Sequence, residues 1–245
     1  MKNPSFSWSP PPDTLTDLLL RNGIDEPLTA EILDQSFLIK LKKGECFLPS
    51  FQEAALNFVE SGVLKEVVDY PAELSKVTGI WLPKTLLTSH APNGINPWLN
   101  KSYVALDNTV LRAIPGHCLH RLAGRSEALF EFCLRRYEIS NAATRDWSVM
   151  SSLLDKKQHI IMCLVIIFLY GHEIEFRDAP LKYEDIASFS GVTKQYCISV
   201  IKELIGQEMI RKKYGTLAVE DLDALVSLVD IQHLNYYIQY LKLPN

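Results

Sequence analysis

Six residues in the last quarter of the chain stand at spacings that let one helix face make polar contacts: Thr193, Lys194, Gln195, Tyr196, Ser199 and Lys202. On a 3.6-residue period they leave Cys197, Val200, Ile201 and Leu204 for the opposite, apolar face. The chemistry of the polar face is that of nucleic-acid recognition. The Gln195 amide can make a two-toothed contact to adenine, and Lys194 can donate to guanine or to phosphate. Thr193, together with the free amides of a helix start, suits phosphate. Lys202, and Lys212 farther on, add positive charge. Thr193 also stands where an N-cap belongs, although Tyr196 is not the Glu or Gln of a capping box.

Such a face is useful only if neighbouring elements hold it out. Ile186, Ala187 and Phe189 supply the apolar positions of a short helix before it, and Ser190-Gly191-Val192 is a tight turn between the two. Gly191 is expected where a side chain would clash. This is a helix-turn-helix, whose second helix is expected to enter a DNA major groove. Residues 209–219 read as a basic β-hairpin turning at Tyr214-Gly215. Within residues 181–215, six Lys or Arg face four Asp or Glu, a net +2, which leaves −6 on the rest of a chain whose formal charge is −4. The sign fits a DNA face confined to one module, and the whole chain is no general polyanion binder.

Upstream the pattern changes. Phe37, Ile39 and Leu41 alternate with other residues, Lys42 to Glu45 is a turn, and Leu56, Phe58 and Val59 precede a turn at Ser61-Gly62 and a run from Val63. Short strands with a turn signal every dozen or so residues suggest an antiparallel barrel or jelly roll. Two short helical patterns precede them, the first capped by Asp13 or Thr14 and ended at Asn22-Gly23, the second beginning near Glu26. They are expected to pad the strand domain.

The run Glu184-Asp185-Ile186-Ala187, then Gly191-Val192-Thr193-Lys194-Gln195, then Val200-Ile201-Lys202-Glu203-Leu204, then Met209-Ile210-Arg211-Lys212-Lys213-Tyr214-Gly215 resembles the winged helix of the cyclic-AMP receptor protein/FNR (CRP/FNR) superfamily. Leu41-Lys42-Lys43-Gly44-Glu45, followed by Phe58-Val59-Glu60-Ser61-Gly62-Val63-Leu64, resembles the cyclic-nucleotide-binding β-roll of the same superfamily. The resemblance implies a second helix that reads bases and a wing that touches phosphate. It also implies a dimer, RNA polymerase as a candidate partner, and a small-molecule effector held in the β-roll. The family's best-known readers carry Arg-Glu and then Arg at the places of Lys194, Gln195 and Ser199, so a different operator is expected.

At the effector site the resemblance fails. Active family members present a Gly-Glu pair that binds the ribose and, about ten residues later, an Arg-Ser or Arg-Thr that forks onto the phosphate. Here Lys101-Ser102 stands in the second place, and the first falls near Ala91-Pro92, with no carboxylate between Gly79 and Lys101. Lysine cannot make the planar two-toothed contact of arginine, and proline removes an amide donor. Cyclic AMP is expected to bind poorly or not at all, which leaves a pocket for another ligand or a vestige. Trp81, Trp98 and Tyr103 are candidates to line it, or are plain core.

Residues 125–154 form one long helical pattern without proline or interior glycine. Leu129, Phe132 or Cys133, Ile139, Ala143, Trp147, Met150 and Leu154 approximate a heptad seam, interrupted by Arg136 and Asp146. The resemblance makes this the central helix that pairs with its twin, as a helix-turn-helix needs to reach two half-sites. The apolar run 160–170 is too short to span a bilayer, which takes about 20 residues, and is expected to be the buried support of the winged domain. Residues 171–180 read as a polar connection. Leu222, Leu225, and Leu228 or Val229 begin an amphipathic C-terminal extension, continued by Leu234, Ile238 and Leu241.

Length and composition agree with a two-module protein: 245 residues, 47% hydrophobic and 22% charged. Residues 1–12 lack the apolar core of a signal peptide. The five cysteines are widely separated and read as reduced thiols of a cytoplasmic protein, not a disulfide framework. His117, Cys118 and His120 are too few ligands for a metal site. With His90 alone in the strand region, an enzyme built on the β-roll is a poor reading. No metal, no cofactor, no membrane contact and no catalytic activity are expected.

The expected fold class is α+β. An N-terminal cyclic-nucleotide-binding-like β-roll (jelly roll) with its helices occupies residues 1–124, a dimerisation helix 125–154, and a winged helix-turn-helix with the C-terminal extension 155–245. The expected function is a DNA-binding transcription regulator that reads a palindromic operator as a homodimer without control by cyclic AMP. The alternative is an effector-binding or protein-interaction regulator that no longer meets DNA.

Overall fold

The computed structural model describes residues 11–48, 53–70, 74–88 and 100–230. The chain enters through two short helices, α1 (Leu15–Arg21) and α2 (Glu26–Gln35). Each starts at a side chain that satisfies an orphan amide: Thr14 Oγ1 accepts from the Asp17 amide at 3.1 Å, and Asp25 Oδ1 from the Leu28 amide at 2.8 Å.

The strands follow: β1 (Phe37–Leu41), β2 (Cys46–Phe47), β3 (Leu56–Ser61), β4 (Leu64–Tyr70), β5 (Leu74–Trp81), β6 (Leu86–Thr88), β7 (Asn100–Ala105) and β8 (Thr109–Ile114). They pair antiparallel in two four-stranded sheets, ordered β1-β8-β3-β6 and β2-β7-β4-β5. Val59, Leu87 and Leu111 of the first sheet bury against Leu64, Tyr103 and Ala105 of the second, which is the jelly-roll packing expected of alternating strands. Gly62, at the β3–β4 turn, has φ +84, and a Cβ there would lie 2.4 Å from both Asn108 O and Thr109 Oγ1, so only glycine fits.

Four helices close one side of the roll: α1, α2, α3 (Gly116–Ala123) and the start of α4 (Glu127–Leu153). Leu18, Leu19, Ile32, Cys118, Leu122, Leu129 and Phe132 bury together against Leu56, Phe58 and Ile114 of the strands. Part of the expected seam of the long helix thus packs within its own chain. Leu129 and Phe132 are inside their own chain's core, Arg136 is buried with them, and Trp147 and Leu154 pack on the second core described below. Among the described side chains, the large exposed apolar residues of α4 are Phe130, Leu134, Val149 and Leu153. The side chains of Ala143, Asp146 and Met150 lie outside the described residues, as do residues 231–245 with Leu234, Ile238 and Leu241.

Beyond α4 the chain forms α5 (Lys156–Glu173), β9 (Asp178–Ala179), α6 (Tyr183–Ser190), α7 (Lys194–Gly206), β10 (Ile210–Lys213), β11 (Thr216–Val219) and α8 (Leu222–Ser227). Helix α5 starts at Asp155, whose Oδ1 accepts from the Lys157 and Gln158 amides, both at 2.8 Å. Its residues Ile160 to Val165, with Ile167, Phe168 and Tyr170, are buried, as an all-round apolar helix requires. Leu222, Leu225 and Val229 pack on the same core, so the start of the C-terminal extension serves the winged helix. The connection after α5 is not wholly irregular: β9 pairs with β11, Ala179 opposite Leu217. Two residues are too few to show an alternating pattern in sequence.

Two contacts between modules shape the whole. Trp147 of α4 stacks on Phe189 of α6 at 4.5 Å and lies 4.6 Å from the ring of His159 in α5. The His159 Nδ1 bonds Ser190 O at 2.9 Å, and burial holds its pKa below the ordinary histidine value. On the other side, Val63, Val77, Leu82 and Leu106 of the β-roll belong to the same apolar core as α5, α6 and α7. Among the described residues, no helix is long and apolar enough to cross a membrane. Of the cysteines, Cys118, Cys163 and Cys197 are buried, Cys133 is half-buried and Cys46 is exposed.

Candidate nucleic-acid interface

Helix α7 is built as its sequence requires. Thr193 is its N-cap, with extended backbone, and its Oγ1 accepts from the Tyr196 amide at 3.3 Å. Cys197, Val200, Ile201 and Leu204 are buried against α6, and burial pushes the Cys197 thiol up to about 12. The turn before it works for a different reason than expected. Gly191 caps α6 in the left-handed region with φ +66, yet a Cβ there would meet nothing within 4 Å. Backbone conformation, not lack of room, selects glycine.

Thr193, Lys194, Gln195, Tyr196, Ser199 and Lys202 are all exposed on one side of α7, and Lys212 is exposed on the wing. The wing is the β10–β11 hairpin, Lys213 opposite Thr216, turning at Tyr214-Gly215 with Gly215 at φ +81. The structure thus gathers all seven residues expected to contact DNA in one module: six on α7 and the seventh on the adjoining hairpin.

Their electrostatics were not visible in the sequence. Lys194 pairs with Glu184 at the start of α6, both side chains about half exposed (53% and 54%), and this hydrogen bond holds the Glu184 carboxyl below its ordinary pKa. Arg211 pairs with Glu220 at 2.7 Å and Lys213 with Asp178 at 3.2 Å. The Lys212 ammonium sits over the Tyr183 ring at 4.8 Å. Among the described residues, Lys202 and Lys212 have no ion-pair partner. Ser199 donates to Tyr196 O at 2.7 Å, which leaves its oxygen free to accept. Tyr214, at the tip of the wing, is fully exposed.

The second candidate site, in the β-roll, differs from expectation in one residue. Lys101 and Ser102 lie on β7, and Lys101 is not open to an anion. Its Nζ is 2.8 Å from Glu66 Oε2, with the two side chains 17% and 11% exposed. The other Glu66 oxygen accepts from Thr78 Oγ1 at 2.8 Å, and the ammonium lies 5.4 Å over the Tyr103 ring. The carboxylate missing between Gly79 and Lys101 is supplied by β4, through pairings that set Glu66 opposite Tyr103 and Val68 opposite Lys101. Ser102 is buried, and the half-buried Trp81 packs with Tyr103 between the sheets. Burial, then the Glu66 charge, raises the Tyr103 hydroxyl well above its usual pKa, and among the described residues Trp81 Nε1 has no hydrogen-bond partner. Ala91, Pro92 and Trp98 lie outside the described residues. On α3, His117 and His120 are exposed while Cys118 is buried.

No protein-family profile and no curated protein sequence matches the chain. Solved structures do. FixK2 from Bradyrhizobium japonicum superposes with a TM-score of 0.64 at 13% identity, over 80% of this chain and 98% of that one. A protein from Eubacterium rectale assigned to the CRP/FNR family of transcriptional regulators does so at 0.60 and 14%, over 85% and 96%. The c-di-GMP-responsive global regulator CLP of Xanthomonas campestris gives 0.55 and 15%, over 80% and 99%. At such identities the likeness establishes the fold: the chain has the architecture of CRP/FNR regulators along most of its length.

Proposed function

We propose that the protein is a DNA-binding transcription regulator that reads a palindromic operator as a homodimer and does not answer to cyclic AMP. The observation that carries this is the face of α7. Thr193, Lys194, Gln195, Tyr196 and Ser199 are exposed together at the start of a capped helix whose opposite side is core, with a wing beside it. In this reading Gln195 and Lys194 meet bases, while Thr193, Lys202 and Lys212 meet phosphate. Residues 1–124 are the sensor, 125–154 the dimer helix and 155–245 the reader. Phe130, Leu134, Val149 and Leu153 are the apolar side chains that α4 has free for a twin. The protein acts in the cytoplasm, carries no catalytic activity, and contacts RNA polymerase when bound.

The independence from cyclic AMP rests on the Lys101–Glu66 pair. An incoming phosphate would have to displace a carboxylate already bound to both Lys101 and Thr78. Any effector of this pocket therefore differs in chemistry from a cyclic nucleotide.

The test is selection of DNA sequences by the purified, ligand-free chain, then affinity for the winner across a salt series. A palindromic winner whose log affinity falls steeply against log salt is expected. A protein-interaction regulator without DNA is the second reading, favoured by the acidic partners of Lys194, Arg211 and Lys213. Absence of any enriched sequence, with and without cell extract, would favour it.

A further inference from the structure

The reader and the β-roll of one chain are joined by more than the long helix. Lys65 of β4 reaches Asp185 of α6, Nζ to Oδ1 2.6 Å, with the carboxylate 4% exposed and the lysine 23%. One turn along α6, Ser188 Oγ accepts from the Val77 amide of β5 at 2.9 Å. Residues three apart share a helix face, so both contacts lie on the side of α6 turned to the β4–β5 hairpin. Val77 and Ile80 add apolar contact with the core that holds α6.

Side chains alternate along β4, so its two faces carry different cargo. Lys65 points out to the reader, while Glu66 points in to Lys101 and Thr78. The Asp185 carboxylate is also committed twice, since its other oxygen accepts from the Lys182 amide at 3.3 Å and so caps α6. Held by this pair, α6 holds α7, because the two helices share a core and are separated only by the turn at Gly191.

We propose that Lys65 is a positioning residue for DNA reading: through Asp185 it docks the winged helix on the β-roll of its own chain, with the α7 reading face turned outward. The inference rests on the DNA-reading function proposed above. A dimer gains most from two recognition helices already held in the orientation the half-sites need, because orientation that is not built in must be paid for on binding. Without the pair, Asp185 is left buried without its cation and the docked orientation loses its advantage.

The experiment uses the full chain and three variants, Lys65→Met, Lys65→Arg and Asp185→Asn. Asparagine can keep an oxygen for the Lys182 amide, but it removes the charge and turns the other oxygen into an amide donor. Amide hydrogen exchange is read without DNA, and affinity is read on the operator selected by the wild-type chain. Lys65→Met is expected to speed exchange in α6 and in β4–β5 and to weaken operator binding about tenfold, about 1.4 kcal/mol. Lys65→Arg is expected to restore both. Asp185→Asn, which leaves no buried charge, is expected to weaken binding less than Lys65→Met, and the double substitution to cost less than Lys65→Met alone. Unchanged exchange and affinity in Lys65→Met, or an arginine variant as impaired as the methionine one, would overturn the positioning role while leaving DNA reading intact. Failure of the wild-type chain to select any operator would overturn the reading on which it stands.

Discussion

The β-roll interior and the winged-helix surface both pair lysines with the chain's own carboxylates, yet the two arrangements have opposite consequences. Lys101 and Glu66 are mostly buried, and Thr78 donates to the second Glu66 oxygen, so the pair is expensive to open. Lys194 and Glu184 are half exposed, and such surface pairs contribute only about 0–1 kcal/mol. Burial, not the presence of a partner, therefore decides which cation is available to a polyanion. The Lys101 site is closed to phosphate by the chain's own acid, while the α7 face keeps its charge accessible.

The largest expected effect comes from opening the buried pair on one side only. Glu66→Ala leaves the Lys101 ammonium buried without a counter-charge and should destabilise the fold by about 3 kcal/mol in urea unfolding. Replacing both residues by methionine should cost much less. Equal losses for single and double variants would break the contrast with the surface pairs. On the reader, Gln195→Ala should cost about 1–3 kcal/mol of operator affinity, confined to one base position. Lys202→Ala should weaken selected and random DNA alike and reduce the salt slope by about 1. If both variants lose equally on both DNAs, the assignment of roles on α7 fails.

The reader was legible in sequence because its signals are local. Thr193, Gly191 and the apolar spacing of Cys197, Val200, Ile201 and Leu204 all act within one turn or two of themselves. The strands and their turns at Gly44 and Gly62 were legible for the same reason. Glu66 was not, because its meeting with Lys101 depends on β4 pairing with β7, and strand register is a tertiary outcome. The long helix shows the same limit. A heptad-like spacing marks Leu129 and Phe132 as buried but does not say by what, and the chain's own α1, α2 and α3 cover them. The Lys65–Asp185 contact had no local sign at all, since nothing near Lys65 distinguishes it from a solvated lysine.

His159 extends the comparison to a group that gains charge instead of holding it. It is buried between Trp147 and Ser190, and burial lowers its pKa from 6.5. The neutral ring is thus favoured in the folded state. Its contribution to stability is fully present above the unfolded pKa, falls as pH drops through about 6.5, and levels off below the lowered folded value. In that window the unfolding free energy should decline with a slope of at most about 1.4 kcal/mol per pH unit from this group. His159→Gln should flatten the decline; a slope unchanged by that substitution would place its source in another group.

The smallest effect tests the surface side most directly. If the Lys194–Glu184 pair is as cheap as its exposure implies, Glu184→Gln should leave thermal stability within about 0.5 kcal/mol of wild type. The effect on DNA should be larger than the effect on folding. The carboxylate stands at the start of α6, beside the face proposed to meet phosphate, and in that reading it gives up Lys194 when DNA arrives. Removing it deletes both a competing partner and a repulsive charge, so affinity for all sequences should rise about two- to fivefold at low salt. The gain should shrink as salt increases, because screening weakens the lost repulsion and the lost pairing together. A substantial loss of stability, or an affinity that falls, would mean that this exposed pair behaves like the buried one and that burial is not what separates the two regions.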